Sequence, residues 1–136
     1  KQWWGKPKSL HIDCWAEITH ADGYDVALRS DPFAGRLRLF YVNMGGYDKS
    51  QFTELHRNLF VVAENVTEAK RRAKAAITGW DQPHRDDMYE ADQIFCLNDE
   101  ALGEQLHIHL MPTPTVRPLS FTCRYVRLGQ NRIASS

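Results

Sequence analysis

The chain has 136 residues, with 17 Lys plus Arg balancing 17 Asp plus Glu, and 43% of its residues are hydrophobic. That is one domain's worth of chain, or two small modules sharing a core, and its composition is that of a soluble globular protein. Zero net charge argues against nucleic acid or an anionic membrane as the main partner, since both demand a positive surface, and no apolar run is long enough to span a bilayer.

The N-terminus, Lys1-Gln2-Trp3-Trp4, lacks the apolar core of a signal peptide. Cys14, Cys96 and Cys123 are an odd number with no Cys-x-x-Cys pair. This usage predicts reduced thiols in a cytoplasmic protein rather than a disulfide framework or a zinc finger.

Leu10 to Ile18 alternates in the manner of a strand, and Ala21-Asp22-Gly23 marks a tight turn, because Asp-Gly tolerates positive φ. Tyr24 to Arg29 is the return strand of this first hairpin, and Ser30 to Arg36 connects onward. Leu37 to Met44 (LRLFYVNM) is a strong strand, which Gly45-Gly46 is expected to end. A polar loop follows from Tyr47 to Thr53. Leu55 to Ala63 is the next strand, apolar enough toward its end to be buried on both faces.

Asn65 and Glu68 form an N-x-x-E capping box. Val66, Ala69, Ala73, Ala76 and Ile77 then share one helical stripe, while Lys70, Arg71, Arg72 and Lys74 cover the other faces as a solvated surface. Gly79 is placed to stop the helix. Met88 to Leu97 reads as a strand with alternation broken near Asp92. Gln105 to Met111 and Leu119 to Leu128 are the last two strands, with a frayed tail beyond Gly129.

Part of this pattern occurs twice. Trp4, Pro7, His11, Asp13 and Glu17 match Trp80, Pro83, His84, Asp86 and Glu90. Residues 1–30 then read as the C-terminal part of a first module, 37–112 as a complete second module, and 113–136 as a C-terminal strand and tail, together one globular unit. On this reading the first half of the first module, on the order of 40 residues, is absent. The first hairpin must then find another surface, such as the edge of the second module's sheet or another subunit. The fold class expected is α+β: a mainly antiparallel sheet with one amphipathic helix on a face, built from a duplicated strand–strand–helix–hairpin module. The core is expected to contain Leu39, Tyr41, Leu59, Val61, Ala73, Ile77, Phe95 and Ile108.

Gly45-Gly46, Glu54-Leu55-His56, Phe60-Val61-Val62-Ala63-Glu64 and His84-x-Asp86 resemble a bacterial family known as the domain of unknown function number 1543. Its members carry one or two copies of the domain. Leu10-His11-Ile12-Asp13 and Asp22-Gly23-Tyr24 resemble the end of its first copy. The resemblance implies relatives and no chemistry: reaction, substrate and cofactor stay open.

Residues i and i+2 on a strand share a face. His11 with Asp13, and His84 with Asp86, could therefore each offer a metal two ligands or act as an acid–base pair. The alternative is a strand-end His bonded to its neighbour, because metal sites need three or more convergent ligands. Gly45, Gly46, Glu54 and His56 form a second candidate ligand site, where glycines let a backbone approach a ligand. The alternative is a polar strand start that satisfies the turn. Gln105-Leu-His107-Ile-His109 resembles the histidine-triad signature of nucleotide hydrolases, with its first His replaced by Gln105. By that analogy His107 would be the nucleophile and His109 would hold phosphate; simple outward-facing alternation explains the same pattern.

Two functions from different classes follow. One is a non-catalytic cytoplasmic module that self-associates as a homo-oligomer or binds a small ligand or partner protein. The other is a small metal-assisted or histidine-based hydrolase, which requires His56, His84 and Asp86, or His107 and His109, to converge in a concave pocket.

Overall fold

The computed structural model describes residues 11–47, 50, 52–77, 91–99 and 106–127. Among these residues, eight strands and one helix follow in chain order: β1 (His11–Trp15), β2 (His20–Ala21), β3 (Tyr24–Arg29), β4 (Arg38–Tyr47), β5 (Glu54–Ala63), α1 (Val66–Ala76), β6 (Ala91–Cys96), β7 (His107–Pro112) and β8 (Thr122–Arg127). All strand pairs are antiparallel, and the fold is α+β. The chain divides into two compact units, one of residues 1–18 with 118–136, the other of residues 19–117.

The first unit contains the two-stranded ribbon β1–β8. Its register pairs Ile12 with Val126 but Cys14 with Cys123. Two β8 residues, Arg124 and Tyr125, therefore oppose the single residue Asp13, which is a β-bulge.

The second unit contains two sheets. In the smaller, β3 lies between β2 and β7. Its tight turn is Asp22-Gly23, with φ of +52° and +83°. Both central residues lie in the left-handed region, as a primed hairpin turn needs. The turn does not join the two long strands expected from sequence. It joins the two-residue β2 to β3, and the long partner of β3 is β7, with Tyr24 opposite Pro112 and Arg29 opposite His107. The expected strand from Leu10 to Ile18 does not pair with Tyr24 to Arg29: its residues in β1 pair with β8 instead.

The larger sheet has the order β5–β4–β6. Strand β4 does not end at the glycines. Gly45 pairs with His56 and Gly46 with Leu55, both are buried, and the strand runs to Tyr47. The β4–β6 register slips between Asn43 and Met44, which face Gln93 and Ala91. Asp92 is thereby left over as a bulge, where sequence alternation breaks.

Helix α1 caps as its sequence implies. Asn65 Oδ1 accepts from Glu68 N at 2.9 Å, and Glu68 Oε2 accepts from Glu64 N at 2.9 Å. Ala69 and Ala73 are fully buried against the sheet. Small residues there let helix and sheet approach closely. The cluster they cover is Phe40, Val42, Met44, Val61 and Ala63, with Leu59, Ile77, Ile94 and Cys96 packed at its margin.

This is the opposite parity of β4 from the one expected. Phe40, Val42 and Met44 face the helix; Tyr41 lies on the other face, beside Phe60 and Phe95 at centroid distances of 5.6 and 6.1 Å. Phe95 is 39% exposed and is no core residue. Leu39, Val61, Ala73 and Ile108 are buried as expected, although Leu39 sits on Tyr41's side. Val66 and Ala76, on the expected apolar stripe, are exposed.

One device holds the edge of this sheet. Among the described residues, strand β5 has β4 on one side only, and Val62 turns its N–H and C=O away from β4. Asp22 Oδ2 accepts the Val62 N–H at 2.7 Å, and Arg72 Nη1 donates to the Val62 carbonyl. Arg72 Nη2 closes the loop with Asp22 Oδ1 at 2.9 Å. A turn carboxylate and a helix guanidinium thus stand in for the missing neighbour strand. Arg72 belongs to the basic run expected to be plain solvated surface.

Candidate functional site

The face of the larger sheet away from α1 carries a hydrogen-bonded row of polar side chains. It starts from a local cause. Strand β4 alternates, so the residues opposite Phe40, Val42 and Met44 are Tyr41 and Asn43. Register places Asn43 across from Asn58, with His56 opposite Gly45. Tyr41 Oη donates to Asn58 Oδ1 at 2.9 Å, and Asn43 Nδ2 donates to the same oxygen at 2.8 Å. Asn43 Oδ1 lies 3.3 Å from His56 Nδ1, which donates in the tautomer protonated there. The result is a cross-strand row, Tyr41–Asn58–Asn43–His56, flanked by the rings of Phe60 and Phe95. Asn58 and His56 are exposed and Asn43 is half-buried. Such a row can recognise a partner through amide donors and acceptors and can stack on it; it holds no nucleophile–base pair.

Of the candidate ligand residues, Gly45, Gly46 and His56 meet in this stretch of β4 and β5, and Glu54 begins β5 opposite Tyr47. His84 and Asp86 lie outside the described residues. The buried, paired glycines do not form a loop over a ligand.

His11 and Asp13 share a face of β1 as the spacing implies, with Nε2 3.3 Å from Oδ2. The His11 ring also packs on Tyr125 at 4.7 Å, and Arg127 Nε donates to Tyr125 Oη at 3.3 Å. Among the described residues, no three of His, Cys, Asp and Glu come together as a metal ion would require.

The two histidines of β7 part company. His109 is buried, and its Nε2 donates to the Asp31 carbonyl at 2.7 Å, with Phe33 beside the ring at 5.2 Å. A ring nitrogen held by a backbone carbonyl is not offered to a phosphate. His107 instead lines a recess of about 160 Å³ with Phe33, Arg38, Asn98 and Asp99. Much of that polar lining is already engaged. Arg38 Nη1 donates to the Gly35 carbonyl at 2.8 Å, and Asn98 Oδ1 accepts from Leu39 N at 2.9 Å. Burial first, and the neighbouring Asp99 side chain second, push the Cys96 pKa up.

Sequence reasoning missed Tyr41, Asn43 and Asn58 as site residues. The available signal was an Asn in the middle of a strand of aromatic and branched residues, an uncommon place for an amide. It also missed His20, which is buried, 3.4 Å from Asp25 Oδ1, while Arg117 Nη2 holds the same oxygen at 3.0 Å.

The comparisons with known proteins bear on the family and the fold. Residues 1–28 match the model of the Domain of Unknown Function (DUF1543). The resemblance to DUF1543 read from Leu10 to Asp13 and from Asp22 to Tyr24 is thus confirmed where those residues lie. No curated protein matches the chain. Among solved structures, the chain is similar to protein Il1583 from Idiomarina loihiensis, with 22% identity and a TM-score of 0.61. The match covers 95% of this chain and 72% of that one. At this identity the likeness speaks for the fold alone. No helix among the described residues is long and apolar enough to cross a membrane.

Proposed function

We propose that the protein is a non-catalytic, cytoplasmic bacterial binding module, built on a duplicated unit, which associates with a second copy of itself through the open face of the β5–β4–β6 sheet. The observation that carries this reading is the Tyr41–Asn58–Asn43–His56 row. These side chains are hydrogen-bonded into place on a surface. Ordering an exposed side chain costs rotamer entropy, and doing so before binding lowers the cost of association. Aromatic side chains with few charges at the centre are the composition of an interface core. Each amide carries both a donor and an acceptor, so the row can complement its own image across a two-fold axis. Zero net charge supports self-association over a polyanionic partner.

The test is sedimentation velocity on the full chain, the parent beside Asn58→Lys and Phe95→Lys. Both side chains are exposed, so the variants should keep the parent's circular dichroism and fold, with the melting temperature lowered only by the lost Asn58 hydrogen bonds or the lost Phe95–Tyr41 contact. A concentration-dependent dimer that both lysines reduce to monomer is expected. A monomeric parent, or a dimer that ignores both lysines, rejects the reading.

A second reading, a histidine-based hydrolase, draws on one feature: His107 beside Asp99 and Arg38 in the recess. It expects turnover of a nucleotide phosphoester substrate that His107→Ala abolishes. Equal rates in parent and variant would end it.

A further inference from the structure

We propose that Cys14 and Cys123 are a thiol–disulfide modification site: a cross-strand pair that low-molecular-weight disulfides oxidise reversibly, joining β1 to β8. The two cysteines are 109 residues apart in sequence, yet their sulfurs lie 3.3 Å apart. They are register partners in the antiparallel ribbon. Adjacent antiparallel strands place facing Cα atoms about 4.5–5.5 Å apart, which falls within the span a disulfide bridges. Forming the bond, at about 2.05 Å, requires the sulfurs to close by a little over 1 Å. Rotation about the two Cα–Cβ bonds supplies that movement.

Both side chains are exposed, so a small disulfide can reach either sulfur. In the reduced state the thiols hydrogen-bond each other. That bond first, then desolvation, raises the Cys14 pKa, so little Cys14 thiolate is present near neutral pH.

The chemistry balances with a disulfide RSSR as oxidant. One cysteine thiolate attacks RSSR, breaking its S–S bond and expelling RS⁻, which leaves a mixed disulfide on the protein. The partner's thiolate attacks the protein-side sulfur, forms the Cys14–Cys123 bond and expels the second RS⁻. The two protons from the protein thiols end on the two RS⁻. Two electrons pass from the cysteine pair to the oxidant. Excess thiol reverses both steps. A reversible bond of this kind is compatible with a reducing compartment, where protein disulfides are transient.

Cys96 provides an internal control, since it is half-buried and engaged by Asp99. The experiment is to equilibrate the full chain in glutathione buffers of graded potential, quench with an alkylating reagent, and map the peptides by mass. Expected is a Cys14–Cys123 cross-linked peptide within one chain, two hydrogens lighter than its parts, with Cys96 alkylated throughout. Added thiol before the quench should reduce Cys14 and Cys123 to free thiols, so that all three cysteines are then alkylated. In Cys14→Ser and Cys123→Ser, the remaining thiol of the pair should accumulate the glutathione adduct without a cross-link. A glutathione adduct persisting on the parent without ring closure, a cross-link involving Cys96, or bonds only between chains would each overturn the assignment.

Discussion

The edge clamp on β5 makes the sharpest stability prediction. Replacing Asp22 with Ala strips the acceptor from the outward Val62 N–H and breaks the ion pair to Arg72. A hydrogen bond to a charged group contributes about 1.5–3 kcal/mol. The Asp22 and Arg72 side chains are 25% and 35% exposed, so the ion pair itself is discounted to about 0.5–1 kcal/mol. Asp22 also sits at φ +52°, where Ala is strained by about 1 kcal/mol more. Asp22→Ala should therefore cost about 3–5 kcal/mol. Asp22→Asn tolerates the backbone and keeps an oxygen for Val62, and should cost about 1 kcal/mol. At about 4 °C per kcal/mol, the two melting temperatures should separate by roughly 8–16 °C. The assay is thermal and urea unfolding followed by circular dichroism, with Arg72→Ala completing a double-mutant cycle. Coupling of about 1 kcal/mol between the two positions is expected. An Asp22→Ala protein within about 0.5 kcal/mol of the parent, or zero coupling with Arg72, would show that the edge is not held this way.

Other measurements follow from the same structure. Val42→Ala, at a fully buried position facing α1, should cost about 2–3 kcal/mol, whereas Phe95→Ala on the open face should cost under about 1.5 kcal/mol; equal losses in urea titrations would refute the assigned strand parity. Asn65→Ala removes the cap on Glu68 N and should lower stability by about 1 kcal/mol, read as a reduced urea midpoint with an unchanged slope. His109→Ala leaves the Asp31 carbonyl without its donor and opens space beside Phe33, for a loss of about 2–4 kcal/mol; a fully stable variant would return His109 to the list of available ligands. Because the Cys96 pKa is raised, its thiolate is scarce near neutral pH. Its alkylation by iodoacetamide should lag a free thiol at pH 7.5 and accelerate as pH rises; a rate equal to glutathione's would contradict the described environment.

How far the sequence reached depends on the range of the interactions involved. The Asn65–Glu68 box, the Asp22-Gly23 turn and the irregularity at Asp92 are local, set by residues a few positions apart, and each occurs where the pattern placed it. The candidate site was half legible. His11 and Asp13 do share a face, and His56 does sit on an open sheet. Its working partners, Asn43 and Asn58, come from two strands, and only register decides that they meet.

The sequence by itself determined which segments are strands, where the helix begins and how it is capped, because propensity, alternation and capping act over a few residues. It could not choose the buried face of β4. Leu39 and Tyr41 are as apolar as Phe40 and Val42, so alternation offers two equivalent answers, and the location of α1 decides between them. Nor could it pair β1 with β8, or β3 with β7, or bring Cys14 to Cys123 across 109 residues. Those contacts arise because an isolated strand leaves backbone groups unsatisfied on both edges, and only the folded chain determines which distant strand satisfies them.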